Sequence, residues 1–123
     1  MSGSQAGGAA VHRLHGRVLL PDLDLPVQAA AVVVRVEDVS RADAPSVVVA
    51  ERTLIGVPLR QGSVPFDVDV PSDRIDPGAR YTLSVHVDVA GSGAVERGDL
   101  LTTRIYPLRP DRDTDVDVAV QQV

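Results

Sequence analysis

Hydrophobic residues recur at every second position through much of this chain. In RYTLSVHVDV, Tyr81, Leu83, Val85, Val87 and Val89 fall on one side of an extended backbone, with Arg80, Thr82, Ser84, His86 and Asp88 on the other. Successive side chains of a strand point to opposite faces, so this is the pattern of a half-buried strand. VPFDVDV sets Phe66, Val68 and Val70 against Asp67 and Asp69, and TDVDVAV sets Val116, Val118 and Val120 against Asp115 and Asp117. VHRLHGRVLL places Leu14, Val18 and Leu20 opposite Arg13, His15 and Arg17. AAAVVVRVEDV is apolar on both faces at first and alternates afterwards, as in a central strand covered at one end. LLTTRIYPL offers Leu101, Thr103 and Ile105.

Pro, Gly and Asp punctuate these runs in PDLDLP, DVSRADAP, GVPLRQGS, PSDRIDPG, AGSGAVERGD and RPDRD. Short alternating strands with frequent turns and no amphipathic helix predict an all-β fold. The expected architecture is a single antiparallel Greek-key β-sandwich of about seven strands, immunoglobulin-like in kind. Leu83, Val85, Val87, Val34, Val36 and Phe66 are expected in one core. Residues 1–10, small and Gly-rich, are expected to be a disordered tail, and residues 11–123 the single domain.

IDPGARYTL sharpens this picture. Ile75, Pro77 and Tyr81 have the spacing of a tyrosine corner, in which a Tyr at a strand start bonds back to the preceding turn. The segment VEDVSRADAPSVVVAERTL poses a different question. Asp38 and Ser40 are suited to bond forward to backbone amides, and Pro45 keeps Ala44 extended, so the insert is first of all a turn between two strands. The following SVVVAERTLI carries apolar residues on both parities, more than one buried face requires. It is therefore the candidate edge strand. Asp38, Ser40, Asp43, Pro45 and Val48 form the candidate protein interface, toward a partner or a second copy of the chain.

The chain of 123 residues has a net charge of -5, two Tyr, one Phe, no Trp and no Cys. No disulfide, thiol nucleophile or Cys-based zinc site is available. An acidic chain this poor in aromatics lacks the basic face and stacking platform of a nucleic-acid binder. The longest apolar run, Ala29 to Val34, is too short to cross a bilayer, so no direct membrane insertion is expected. Without a hydrophobic leader or a lipobox cysteine, the sequence as given reads as cytoplasmic.

Candidate chemistry is thin. His12 and His15 lie three apart, on opposite faces of a strand, and cannot chelate together. His86 falls on the polar face and is expected to be exposed. DRDTD opens like a calcium loop at Asp111, Asp113 and Asp115, but the loop Gly is missing and Gln122 stands where the closing Glu belongs. Asp113, Asp115 and Asp117 are expected to run outward along a strand. No nucleophile elbow, phosphate-binding glycine loop or paired catalytic acid is recognisable. The expectation is a non-enzymatic domain with no catalytic residues, no cofactor and no metal.

Several pieces together resemble the YbaY/YscW-type family. They are Gly16-Arg17-Val18 with Leu25-Pro26, Asp38-Val39-Ser40 with Asp43-Ala44, Pro65-Phe66, Ile75-Asp76-Pro77 with Tyr81, and Tyr106-Pro107. Their order and spacing carry the resemblance over about residues 12–120. It implies a small β-sandwich of Gram-negative lipoproteins, located in the cell envelope. One branch comprises type III secretion pilotins, which help an outer-membrane secretin ring to localise and assemble. No catalytic residues come with the family. The function expected is thus a protein-binding or assembly module; the alternative is a purely structural β-sandwich without a specific ligand.

Overall fold

The structure is a computed structural model and describes residues 10–110 and 112–123. The chain crosses repeatedly between two sheets. Strand β1 (Val11–Leu19) starts in the smaller sheet. The chain then passes to the larger sheet for β2 (Gln28–Asp38) and β3 (Val47–Pro58) and returns for β4 (Ser63–Pro71) beside β1. A single 3₁₀ turn, Ser72–Arg74, leads back to β5 (Tyr81–Asp88), which lies beside β2. Three two-residue strands extend the larger sheet: β6 (Leu100–Leu101), β7 (Pro107–Leu108) and β9 (Gln121–Gln122). Strand β8 (Thr114–Ala119) completes the smaller one. The sheet orders are β4-β1-β8 and β3-β2-β5-β6-β9, with β7 also against β5. This is the expected β-sandwich. Among the described pairings, β1 with β8 is the parallel one; the rest are antiparallel.

The period-two faces meet between the sheets. Val34, Val36, Phe66, Leu83, Val85 and Val87 are all buried, together with Leu14, Val18, Val68, Val70 and Val118. Strands β8 and β9 are one run that changes sheets. The Val120 amide bonds the Leu19 carbonyl at 3.2 Å, and Gln121 and Gln122 then pair with Leu101 and Leu100. The chain thereby laces the sandwich shut along one side.

Gly16 permits the parallel pairing. A Cβ on it would lie 1.7 Å from the Val116 carbonyl oxygen and 3.0 Å from the Phe66 ring. Any side chain here would push β8 off β1. At the start of β5, Tyr81 forms the expected corner. Its hydroxyl accepts the Asp76 amide at 2.7 Å, and the ring is buried. A second tyrosine does related work. The Tyr106 hydroxyl accepts the Ala119 amide at 2.9 Å, which fastens the end of β8 to the segment before β7.

The outer face of the smaller sheet is polar, as its Asp rows predict. Arg13 pairs with Asp69 and Arg17 with Asp117, both at 3.0 Å. Asp113 departs from expectation: it precedes β8, and its carboxylate accepts the Arg13 amide at 2.9 Å. Asp111 and the tail at residues 1–9 lie outside the described residues.

Two substitutions test these fastenings. Tyr81→Phe removes one hydrogen bond and is expected to lower stability by about 1 kcal/mol in a denaturant melt. Gly16→Ala is expected to lower it by several times that, about 2–3 kcal/mol, because backbone must move to admit the methyl group.

Candidate functional site

Two places concentrate polar groups and exposed surface. The first is the turn between β2 and β3. Asp38 accepts the Ser40 amide at 2.9 Å and the Ser40 hydroxyl at 2.6 Å. Those bonds, from the hydroxyl first and the amide second, hold its carboxyl below the ordinary carboxylate value. Ser40 was expected to bond forward along the turn. Its oxygen instead accepts the Arg80 amide at 2.8 Å, tying the turn to the start of β5. Asp38, Ser40, Arg41, Ala44, Pro45 and Val47 face Asp76, Gly78 and Ala79 across a cleft of about 540 Å³. Three of the five candidate interface residues thus meet in one cleft. Asp43 is exposed on the loop without lining it, and Val48 lies just beyond, 39% exposed on β3.

Strand β3 is an edge. It pairs with β2 and with no other strand among the described residues. Val47 and Val48 are exposed at its start, and Ile55, 77% exposed, stands further along. Its two charges are already engaged, Glu51 by Arg35 at 2.6 Å and Arg52 by Asp67 of β4 at 3.2 Å. Arg74 reaches the Val48 carbonyl at 3.2 Å and covers that one edge acceptor.

The second place was missed by sequence reasoning. His86 was expected on an exposed face; it is buried, as are Asp88 and Asp99. The parity was right, since His86 does lie on the outer face of the larger sheet. The segment after β5 folds back and covers it. The His86 Nε2 lies 2.8 Å from Asp99 Oδ2. An ionised carboxylate only accepts, so this nitrogen carries the proton. Asp99 also accepts the amides of Val89 and Glu96, each at 3.0 Å. Asp88 accepts those of Gly91 and Gly93, each at 2.9 Å. Burial pushes the Asp99 carboxyl up. The bonds from His86, Val89 and Glu96 outweigh it and hold the group below its ordinary value. An Asp at each end of a Gly-rich loop was the available signal.

His86, Asp88 and Asp99 bring three ligand-type atoms within 4.8 Å of one another, the one such group among the described residues. Each carboxylate oxygen already accepts a loop amide or bonds the imidazole. The arrangement serves as a clamp for the loop backbone. Zinc or calcium is accordingly expected to leave the thermal midpoint unchanged; a saturable rise of several degrees would show a metal site instead.

Comparison with known proteins adds to this geometry. No curated protein matches the sequence. Among solved structures, an alternative pilotin from the type II secretion system of Vibrio cholerae superposes with a TM-score of 0.75 at 24% identity, covering 93% of this chain and 98% of that one. The likeness establishes a shared fold. Among the described residues, no helix is long and apolar enough to cross a membrane. Residues 9–106, most of the sequence, match the family described as type III secretion system lipoprotein chaperone, and the chain belongs to this YscW family.

Proposed function

We propose that this domain is a non-enzymatic protein-binding module of the secretion-chaperone kind, acting in the cell envelope on a component of a secretion channel. The family description supports the role. The open edge of β3, with the cleft beside its start, supports the place. A free edge presents unpaired backbone N–H and C=O groups that an extended segment of a partner can join.

The other edges are guarded. Strand β4 carries Pro65 and Pro71, which cannot donate to a ladder. Strand β8 turns Asp115 and Asp117 outward. On the far side of the larger sheet, β6, β7 and β9 are each two residues long. Strand β3 has twelve residues and no proline before Pro58 at its end. Its exposed Val47, Val48 and Ile55 are the apolar contacts such a partner would cover.

A photo-crosslinking residue placed at Val48 or Ile55 is expected to trap a secretion-channel protein in cells, and one at Asp69 on the opposite sheet is not. Equal trapping from both faces would overturn the assignment. Val48→Arg is expected to weaken partner capture at least tenfold and to shift stability by no more than about 0.5 kcal/mol, since the side chain is at the surface. Unfolding of the variant would mean that Val48 is core and the interface lies elsewhere. Sedimentation of the pure protein separates a second copy of the chain from a different partner.

A further inference from the structure

We infer that the 89–99 segment is an acid-released latch, which lets go of the larger sheet as a unit with β9 while the other strands stay paired. The first observation is what the segment lacks. Every residue from Ala90 to Arg97 is exposed, so no side chain in that stretch is anchored in a core. Its conformation depends on backbone amides, and those of Val89, Gly91, Gly93 and Glu96 all donate to two carboxylates, Asp88 and Asp99. Both carboxylates are buried against the sheet. Gly91 and Gly93 adopt φ of 84° and 82°, which lets the chain curl round Asp88.

The second observation is what else hangs on the same point. The Asp99 carbonyl accepts the Val123 amide at 2.8 Å, and the Gly98 amide donates to the Val123 carbonyl at 3.2 Å. Gln121 and Gln122 pair with the two residues that follow Asp99. Loss of the clamp therefore loosens the loop and β9 together. Beneath them lies His86, whose imidazole would become the newly uncovered group.

Protonation of Asp99 removes its share of the clamp. A carboxyl that gains a proton loses acceptor capacity, and its new O–H stands among backbone amides that are themselves donors. The charged groups around the pair are few. Strand β5 contributes His86 and Asp88, and the loop contributes Glu96 and Arg97, both exposed. On β2, Val33 stands opposite His86, and the next charge on that face, Arg35, is held by Glu51. The carboxyl of Asp99 sits below its ordinary value in the folded state, so its contribution is complete above the ordinary carboxylate range. It is lost as pH falls through the group's own lower value. Release thus belongs to the acid side. Openings of this kind are local and need not involve the core.

Hydrogen exchange on the full chain, corrected for intrinsic rates, tests the latch. As pH is lowered from neutral, the amides of Gly91, Gly93, Glu96 and Val123 are expected to lose protection together. The amides of Val34 and Val85, on β2 and β5, are expected to keep theirs. At neutral pH, Asp99→Asn is expected to lower protection of Val89, Glu96 and Val123 by roughly tenfold or more, the equivalent of one charge-assisted hydrogen bond. Val95→Ala, a change at an exposed loop position, should leave it intact. Loop and core protection falling at the same pH would overturn the proposal. So would loop protection that ignores pH, or an Asp99→Asn variant that unfolds throughout by circular dichroism.

Discussion

Valine fills most of the space between the two sheets, and the rest of the molecule accommodates that choice. The side chain is short and stiff, so a valine-rich layer holds the sheets close and leaves little depth at the ends of the sandwich. Large residues are scarce there, with Phe66 and Tyr81 the buried aromatics. The turns cannot be sealed by plugging side chains into the core. They are sealed by polar bonds from fixed anchor points: the hydroxyls of Tyr81 and Tyr106, and the carboxylates of Asp38, Asp88, Asp99 and Asp113. Each anchor sits at a strand end or in a turn beside one and takes a backbone amide that the ladder leaves unmatched.

The parts of this plan that repeat locally were legible in the chain. Period two identified the inner faces, because one-sided burial admits no slip of register. Tyr81 was legible because its corner is closed within five residues of sequence. The Asp38 turn was legible for the same reason, its bond spanning two residues. What escaped were contacts made across long stretches. Period two places His86 on the outer face correctly, but burial there is decided by a loop that returns from Asp99. The choice of β8 as the parallel neighbour of β1 depends on Gly16 meeting Val116, and nothing local to either residue announces it.

For the candidate interface, the edge character of β3 followed from its excess of apolar positions, and the cleft beside it gathered Asp38, Ser40 and Pro45. Asp43 lies exposed at the turn tip, outside that cleft. Arg74 was not foreseen at all. It comes from the 3₁₀ turn to cover the Val48 carbonyl, a partial shield on an otherwise open strand. The chain belongs to the YscW family, and β3 is a free edge of its larger sheet among the described residues.

The pairing of β1 with β8 joins positions a hundred residues apart, as in the bond from Arg17 to Asp117. During synthesis, β1 leaves the ribosome first but has only β4 as a neighbour until nearly the whole chain has followed. The smaller sheet is therefore completed late, by closing a loop that joins Leu14 to Thr114, and such closures are slow. Until then the nascent chain exposes a valine-rich strand pair with one side bare. A newly made copy is thus most vulnerable to aggregation just before β8 arrives, and whatever holds it in that interval determines how much of it survives.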